Sequence, residues 1–249
     1  MIRALVLLLT LAGAARAEQI VLGLSNDEVA ITANFDGSDI LIFGAVKRDG
    51  AVADAAPLQV IITVSGPRAP AMVRHKARRF GIWVNTNAVE IDEAPSFYAV
   101  ATSAPISDVL SHTEDLRQSI STPRAIRSVG AQVDNTADYT EALIRIRAGD
   151  GLYQVLEGAI DFEQETLFRT QVTLPANLIE GSYQTRIFLT RGGQVVDRYE
   201  TAISVRKVGI ERWLFNLAHE KPLPYGLLSL LIAVIAGWAA SAAFAGLRR

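Results

Sequence analysis

Along most of this chain apolar residues alternate with polar ones or gather in short runs, and turn-forming residues interrupt them at close intervals. "QIVLGLS" and "EVAITANF" open the series. In the second run Val29, Ile31 and Ala33 fall on one face, with Thr32 and Asn34 on the other. "DGSD" predicts a turn, "DILIFGAVKRDG" an apolar strand ended by Asp49-Gly50, and "LQVIITVSGP" a strand closed by Gly66-Pro67. "FGIWVNTN" and "SFYAVATS" continue the pattern. Short β-rich runs punctuated roughly every 8–12 residues predict an Ig-like β-sandwich.

One stretch breaks the alternation. In "VRHKARRFGIWVN", Arg74, Lys76 and Arg78 share a parity with Phe80, Ile82 and Val84. A single half-buried strand cannot put cations and large apolar residues on one face. A bulge or turn near Arg78–Gly81 removes the conflict, and Gly81 is its natural place.

The period then lengthens. "ISDVLSHTEDLRQSI" spaces Ile106, Val109, Leu110, Thr113, Leu116 and Ile120 as a helix does, with Ser107 as its N-cap. After the polar "STPRAIRSVGAQVDNTAD", "DYTEALIRIRAGDG" predicts a second short helix ended by Gly149 or Gly151. Strand patterns return in "EGAIDFE", "LFRTQVTLPANL", "EGSYQTRIFLTRGG" and "QVVDRYETAISVRK", and Gly192-Gly193 between the last two predicts a hairpin. The reading is a mainly β protein of two Ig-like or β-sandwich lobes, 18–104 and 152–208, joined by a helical connector over 105–151.

Two further elements follow. In "GIERWLFNLAHEKP", Ile210, Trp213, Leu214, Leu217 and Ala218 lie on one helical face. An amphipathic helix over 209–222 follows, either lying in a membrane interface with Trp213 as anchor or packed beneath the β region. From Leu223 to Leu247 there is no charged side chain, and a helix of that length extends about 37 Å, enough to cross a bilayer core. Arg248 and Arg249 end the sequence and are expected to anchor the span at the inner face of the membrane.

The opening "MIRALVLLLTLAGAARAEQI" places Arg3 before an apolar run from Ala4 to Ala12, then Ala15-Arg16-Ala17, which fits a secretory signal peptide over 1–17. A cleaved signal followed by one late span predicts a single-pass inner-membrane protein, its N-terminal domain periplasmic and residues 248–249 a cytoplasmic tail. The flanking charges oppose this, since Arg206, Lys207, Arg212 and Lys221 precede the span, but an upstream signal outweighs them.

Composition narrows the chemistry. Between Glu18 and Lys221 there are 26 acidic residues against 20 Lys and Arg, a formal charge of −6 that disfavours nucleic acid as a partner. The chain has no cysteine, which excludes disulfides and thiol chemistry. His75, His112 and His219 stand in separate elements without ligand spacing, so no metal and no cofactor is expected. No nucleophile elbow, phosphate loop or dinucleotide fingerprint occurs, and no catalytic residue is assigned. "DGSD" lacks the later acidic ligand of a calcium loop, while Asp92-Glu93 and Glu114-Asp115 read as solvated faces.

Two features carry binding potential. Arg68, Arg74, Lys76, Arg78 and Arg79 form a basic stretch unbroken by acid, suited to an anionic ligand, lipid headgroups or an acidic partner, or simply to a charged edge strand. In the span Ala233, Gly237, Ser241 and Ala245 recur every four residues, a small-residue stripe against which another helix packs, or a by-product of an Ala-rich span.

"RRFGIWVN", "APSFYAVATSAP", "GLYQ", "LFRTQVTLPANLIEGSY" and the closing span resemble a family of alphaproteobacterial transmembrane proteins defined by likeness rather than by activity. The resemblance covers nearly the whole mature chain and implies no catalytic residues. It also implies, as a partner, a sulfite-exporter-like membrane protein of the TauE/SafE type. The functional expectation is a non-enzymatic, membrane-anchored accessory or interaction subunit. A sensor of an anionic solute and a tethered hydrolase are the alternatives.

Overall fold

The computed structural model describes residues 18–24, 28–31, 37–48, 56–127, 136–207, 214 and 217–247. The predicted signal peptide, Trp213 with half of the amphipathic segment, Arg248 and Arg249 lie outside them, as does the side chain of Ala245.

The protein is mainly β, as its alternation predicts. Strands β1 (Glu18–Leu24), β3 (Ser38–Arg48), β9 (Asp161–Glu163) and β10 (Leu167–Leu174) form one sheet in the order β1-β3-β10-β9. A six-stranded sheet joins β2 (Glu28–Ile31), β12 (Gln194–Lys207), β11 (Gly181–Arg191), β4 (Leu58–Ser65), β7 (Tyr98–Thr102) and β8 (Tyr153–Leu156), in that order. A long hairpin of β5 (Arg68–Arg79) and β6 (Ile82–Pro95) makes a third sheet of its own.

Strands from both sides of the helical stretch share the two larger sheets. β3 pairs antiparallel with β10, and β4 with β11, so the segments 18–104 and 152–208 interleave. Burial patterns explain the arrangement. In β10, Phe168, Thr170, Val172 and Leu174 are buried while their neighbours are exposed, the mark of a sheet with one solvated face. All but one residue of β4 is buried, because both faces of its sheet are covered. Ile61 faces the helical side with Tyr98, Val100 and Phe188. Val60, Ile62 and Val64 have the opposite parity, and they are buried as well. Two sheets with buried inner faces are consistent with the expected β-sandwich.

The helical stretch is a crossover. β7 and β8 are parallel, and parallel neighbours need a long connection that packs back on the sheet. It holds α1 (Ile106–Val109), α2 (His112–Gln118), α3 (Thr122–Ala125) and α4 (Thr136–Gly149). Val109, Leu110, Ile120, Ala125, Ile126 and Leu143 from this stretch join one buried cluster with the sheet.

The single helix expected from Ile106 to Ile120 is two helices. Leu110 is extended (φ −139°, ψ 119°), and Ser111, not Ser107, caps the second by accepting from the Glu114 N–H at 3.3 Å. Ser107 lies inside α1 and its hydroxyl donates to Asp108 Oδ1. The break has a tertiary cause: the Ser111 N–H donates to the carbonyl of Gly193, in the β11–β12 turn, at 2.9 Å. That turn is the predicted one, with Gly192 and Gly193 at φ 56° and 76°. Val29 is buried and Ile31 half-buried, as alternation in β2 requires.

Residues Ala30–Phe35 and Arg206–Arg249 form a separate unit. Its described part has a helical turn at Leu217–Glu220 and helix α5 (Pro222–Leu247). The expected span, Leu223 to Leu247, falls within α5.

Candidate functional site

The β5–β6 hairpin is fixed at its base and bare at its tip. Val73, Val89, Ile91 and Ala94 are buried in the cluster beneath the sheet or beside it. Glu93 and Arg127 exchange backbone hydrogen bonds of 3.1 and 2.9 Å, and Arg68 lies 3.8 Å from the Glu93 carboxylate. Arg147, at the end of α4, donates to the Pro95 carbonyl and, at 2.7 Å, to the Tyr153 hydroxyl. The same hydroxyl donates to Pro95 O at 2.8 Å, so α4 and the hairpin root are clamped through one carbonyl. Burial pushes the Tyr153 hydroxyl pKa up, against the pull of the Arg147 cation.

Between the hairpin and α4 runs a groove of about 600 Å³. Arg74, His75, Lys76 and Asn87 line one side, and Asp138, Tyr139, Arg145 and Ile146 the other. A β-bulge lies between the His75–Asn87 and Lys76–Asn85 pairs, leaving Thr86 as the extra residue on β6. The Thr86 hydroxyl donates to the His75 carbonyl at 3.2 Å and lies 3.2 Å from His75 Nδ1. Arg74, Lys76 and Arg145 give the groove three cations against the carboxylate of Asp138. That balance favours an anion with an apolar part for Tyr139 and Ile146.

Only two of the five basic residues singled out in the sequence, Arg74 and Lys76, enter this groove, and Arg68 stays at the hairpin root beside Glu93. Arg78 and Arg79 instead flank the tip, where Arg79 pairs with Ile82 across a two-residue turn of Phe80 and Gly81. Both turn residues have positive φ, 51° and 84°, which resolves the parity conflict at the glycine expected to resolve it. For a phenylalanine this left-handed conformation costs about 1–2 kcal/mol. Missed in the sequence was Arg145, which helical spacing alone assigns to no site. Among the described residues no group of His, Asp and Glu is placed to hold a metal ion.

Helix α5 is apolar throughout. Its segment Pro222–Ser241 has a mean hydropathy of 1.9 with no part buried, which fits a bilayer span. Ala233, Gly237 and Ser241 lie on it, exposed, and among the described residues nothing beyond the helix's own backbone lies within 4 Å of where a side chain on Gly237 would begin.

A family model described as "Putative transmembrane protein (Alph_Pro_TM)" matches residues 19–246. The chain belongs to this family. The match runs from β1 to the end of α5, so membership covers the β region and the apolar helix together. No curated protein matches the chain. Family and helix agree on a membrane-anchored protein, with one candidate span among the described residues.

Proposed function

We propose that this family member is a non-enzymatic accessory subunit of a membrane complex, with its β region on the periplasmic side and Arg248 and Arg249 in the cytoplasm. Its partner is a multi-span protein of the same membrane, for which an anion exporter of the TauE/SafE type is the candidate. One observation carries the reading. The chain commits β5 and β6, strands of 12 and 14 residues, to a two-stranded sheet that is exposed over most of its length. Isolated two-stranded hairpins are marginal in water, so the length beyond its buried root adds little to the core and offers its surface to another molecule. Met72, an exposed apolar residue on β5, is the natural reporter.

A photo-crosslinking residue at Met72 in the full chain, followed by mild-detergent purification, is expected to trap one multi-span membrane protein. Arg74→Glu should abolish the product. Recovery of uncrosslinked monomer alone defeats the proposal.

The groove favours a second reading, a sensor of an anionic solute, because folding brings Arg145 to the side opposite Arg74 and Lys76. Small carboxylates, sulfate or sulfite should then raise the melting temperature of the full chain, and Arg74→Ser with Lys76→Ser should remove the rise. If none of these anions shifts the wild type, this reading fails.

A further inference from the structure

At the apex of the hairpin Phe80, Ile82 and Trp83 are 105%, 64% and 69% exposed, three large apolar side chains within four positions. Arg78 and Arg79 adjoin them directly, and both are exposed. No acidic residue occurs between Arg68 and Val89, although the region from Glu18 to Lys221 is acidic as a whole. We propose that this apex is a lipid-binding site, inserting Phe80, Ile82 and Trp83 into the interface of an anionic bilayer while Arg78 and Arg79 hold headgroup phosphates.

Four arguments select a lipid surface over a protein. A stable protein interface buries about 800 Å² on each partner, far more than three side chains at a turn supply. Indole and phenyl rings beside guanidinium groups match the headgroup layer, where aromatic residues settle and anionic lipid attracts arginine. The chain also carries its own span in α5, so a bilayer is always near and a weak contact suffices. The charge is complementary too, since the basic apex belongs to a region that is otherwise net acidic and so repelled by such a membrane.

The test uses the full chain with Trp213→Phe and Trp238→Phe, leaving Trp83 as its reporter tryptophan, reconstituted into vesicles of phosphatidylcholine with or without phosphatidylglycerol. With the anionic lipid, Trp83 emission should shift to the blue and be quenched by brominated acyl chains. Arg78→Ser with Arg79→Ser should weaken the docking equilibrium about thirtyfold, returning emission to that seen on neutral vesicles. Phe80→Asp with Ile82→Asp should abolish quenching on either lipid. These side chains are exposed, so the melting temperature should not change, and a variant that melts early is replaced by the single substitutions. A water-like Trp83 on both vesicle types overturns the proposal. So does quenching indifferent to lipid charge, or shielding that arises only when a partner protein is added. None of these outcomes bears on crosslinking at Met72.

Discussion

Replacing Gly44 with valine is expected to destabilise the β region by about 3 kcal/mol, although valine is the better strand former. Gly44 sits in the middle of β3, directly opposite Phe168 of β10. A Cβ at position 44 would lie 2.4 Å from the Phe168 ring and 2.7 Å from the carbonyl oxygen of Val21 on β1. The phenyl ring therefore occupies the space that a side chain at 44 needs, and the backbone on the other side cannot yield without breaking the β1–β3 ladder. Phe168 is buried, so Phe168→Ala alone should cost about 3–4 kcal/mol through the cavity it leaves. The two changes should not add. With the ring gone, valine at 44 fills part of the void, and the double variant should recover about 1–2 kcal/mol of the sum. Urea unfolding of the full chain in mild detergent, followed by far-ultraviolet circular dichroism, measures all three. If Gly44→Val leaves the midpoint unmoved, the β3–β10 register is not the one described.

That register illustrates what a sequence conceals. Most of the strands were legible, because alternation, Gly192-Gly193 and Gly81 are local signals with local causes, whereas the four-residue β8 is too short for alternation to mark it. The uncharged run into Leu247 marked α5 for the same reason. Pairing is not local: β3 and β10 meet across more than a hundred residues, and no feature of "DILIFGAVKRDG" names its partner. The break between α1 and α2 was hidden likewise, since the Gly193 carbonyl that receives the Ser111 N–H comes from another part of the chain. Glu114-Asp115, which reads as a solvated face, is a structural pair. Glu114 is buried with Arg117 at 2.7 Å, and Asp115 accepts from the backbone N–H groups of Ile120 and Ser121 at 3.2 and 2.7 Å. In the groove, Arg74 and Lys76 were visible as charges, but Arg145 joins them only through the packing of α4 on the hairpin.

Arg186→Ala is expected to cost about 2–3 kcal/mol, the other large single loss. Arg186 projects from β11 and ties the end of α2 to the six-stranded sheet. Its guanidinium donates to the carbonyls of Gln118 and Ser119 at 2.8 and 3.0 Å, groups that a short helix leaves without partners at its C-terminus. It also donates to the Thr63 hydroxyl at 3.3 Å, and its Cζ lies 5.3 Å from the Phe188 ring. Beside it the buried Tyr98 hydroxyl, on β7, donates to the Ile120 carbonyl at 2.7 Å, so three successive carbonyls are held by two strands of one sheet. Lysine carries the charge but cannot present the planar fork, so Arg186→Lys should keep less than half of the stabilisation. Burial pushes the Tyr98 hydroxyl pKa up and the Arg186 cation opposes the rise; in Arg186→Ala, phenolate should therefore form at higher pH than in the wild type. Because Arg186 anchors one short helix rather than the whole sheet, the loss should surface first as faster amide exchange across His112–Ile120, ahead of global unfolding. A variant within about 0.5 kcal/mol of wild type, with that exchange unchanged, would show that packing of Ile120 and Leu110 holds α2 without the arginine.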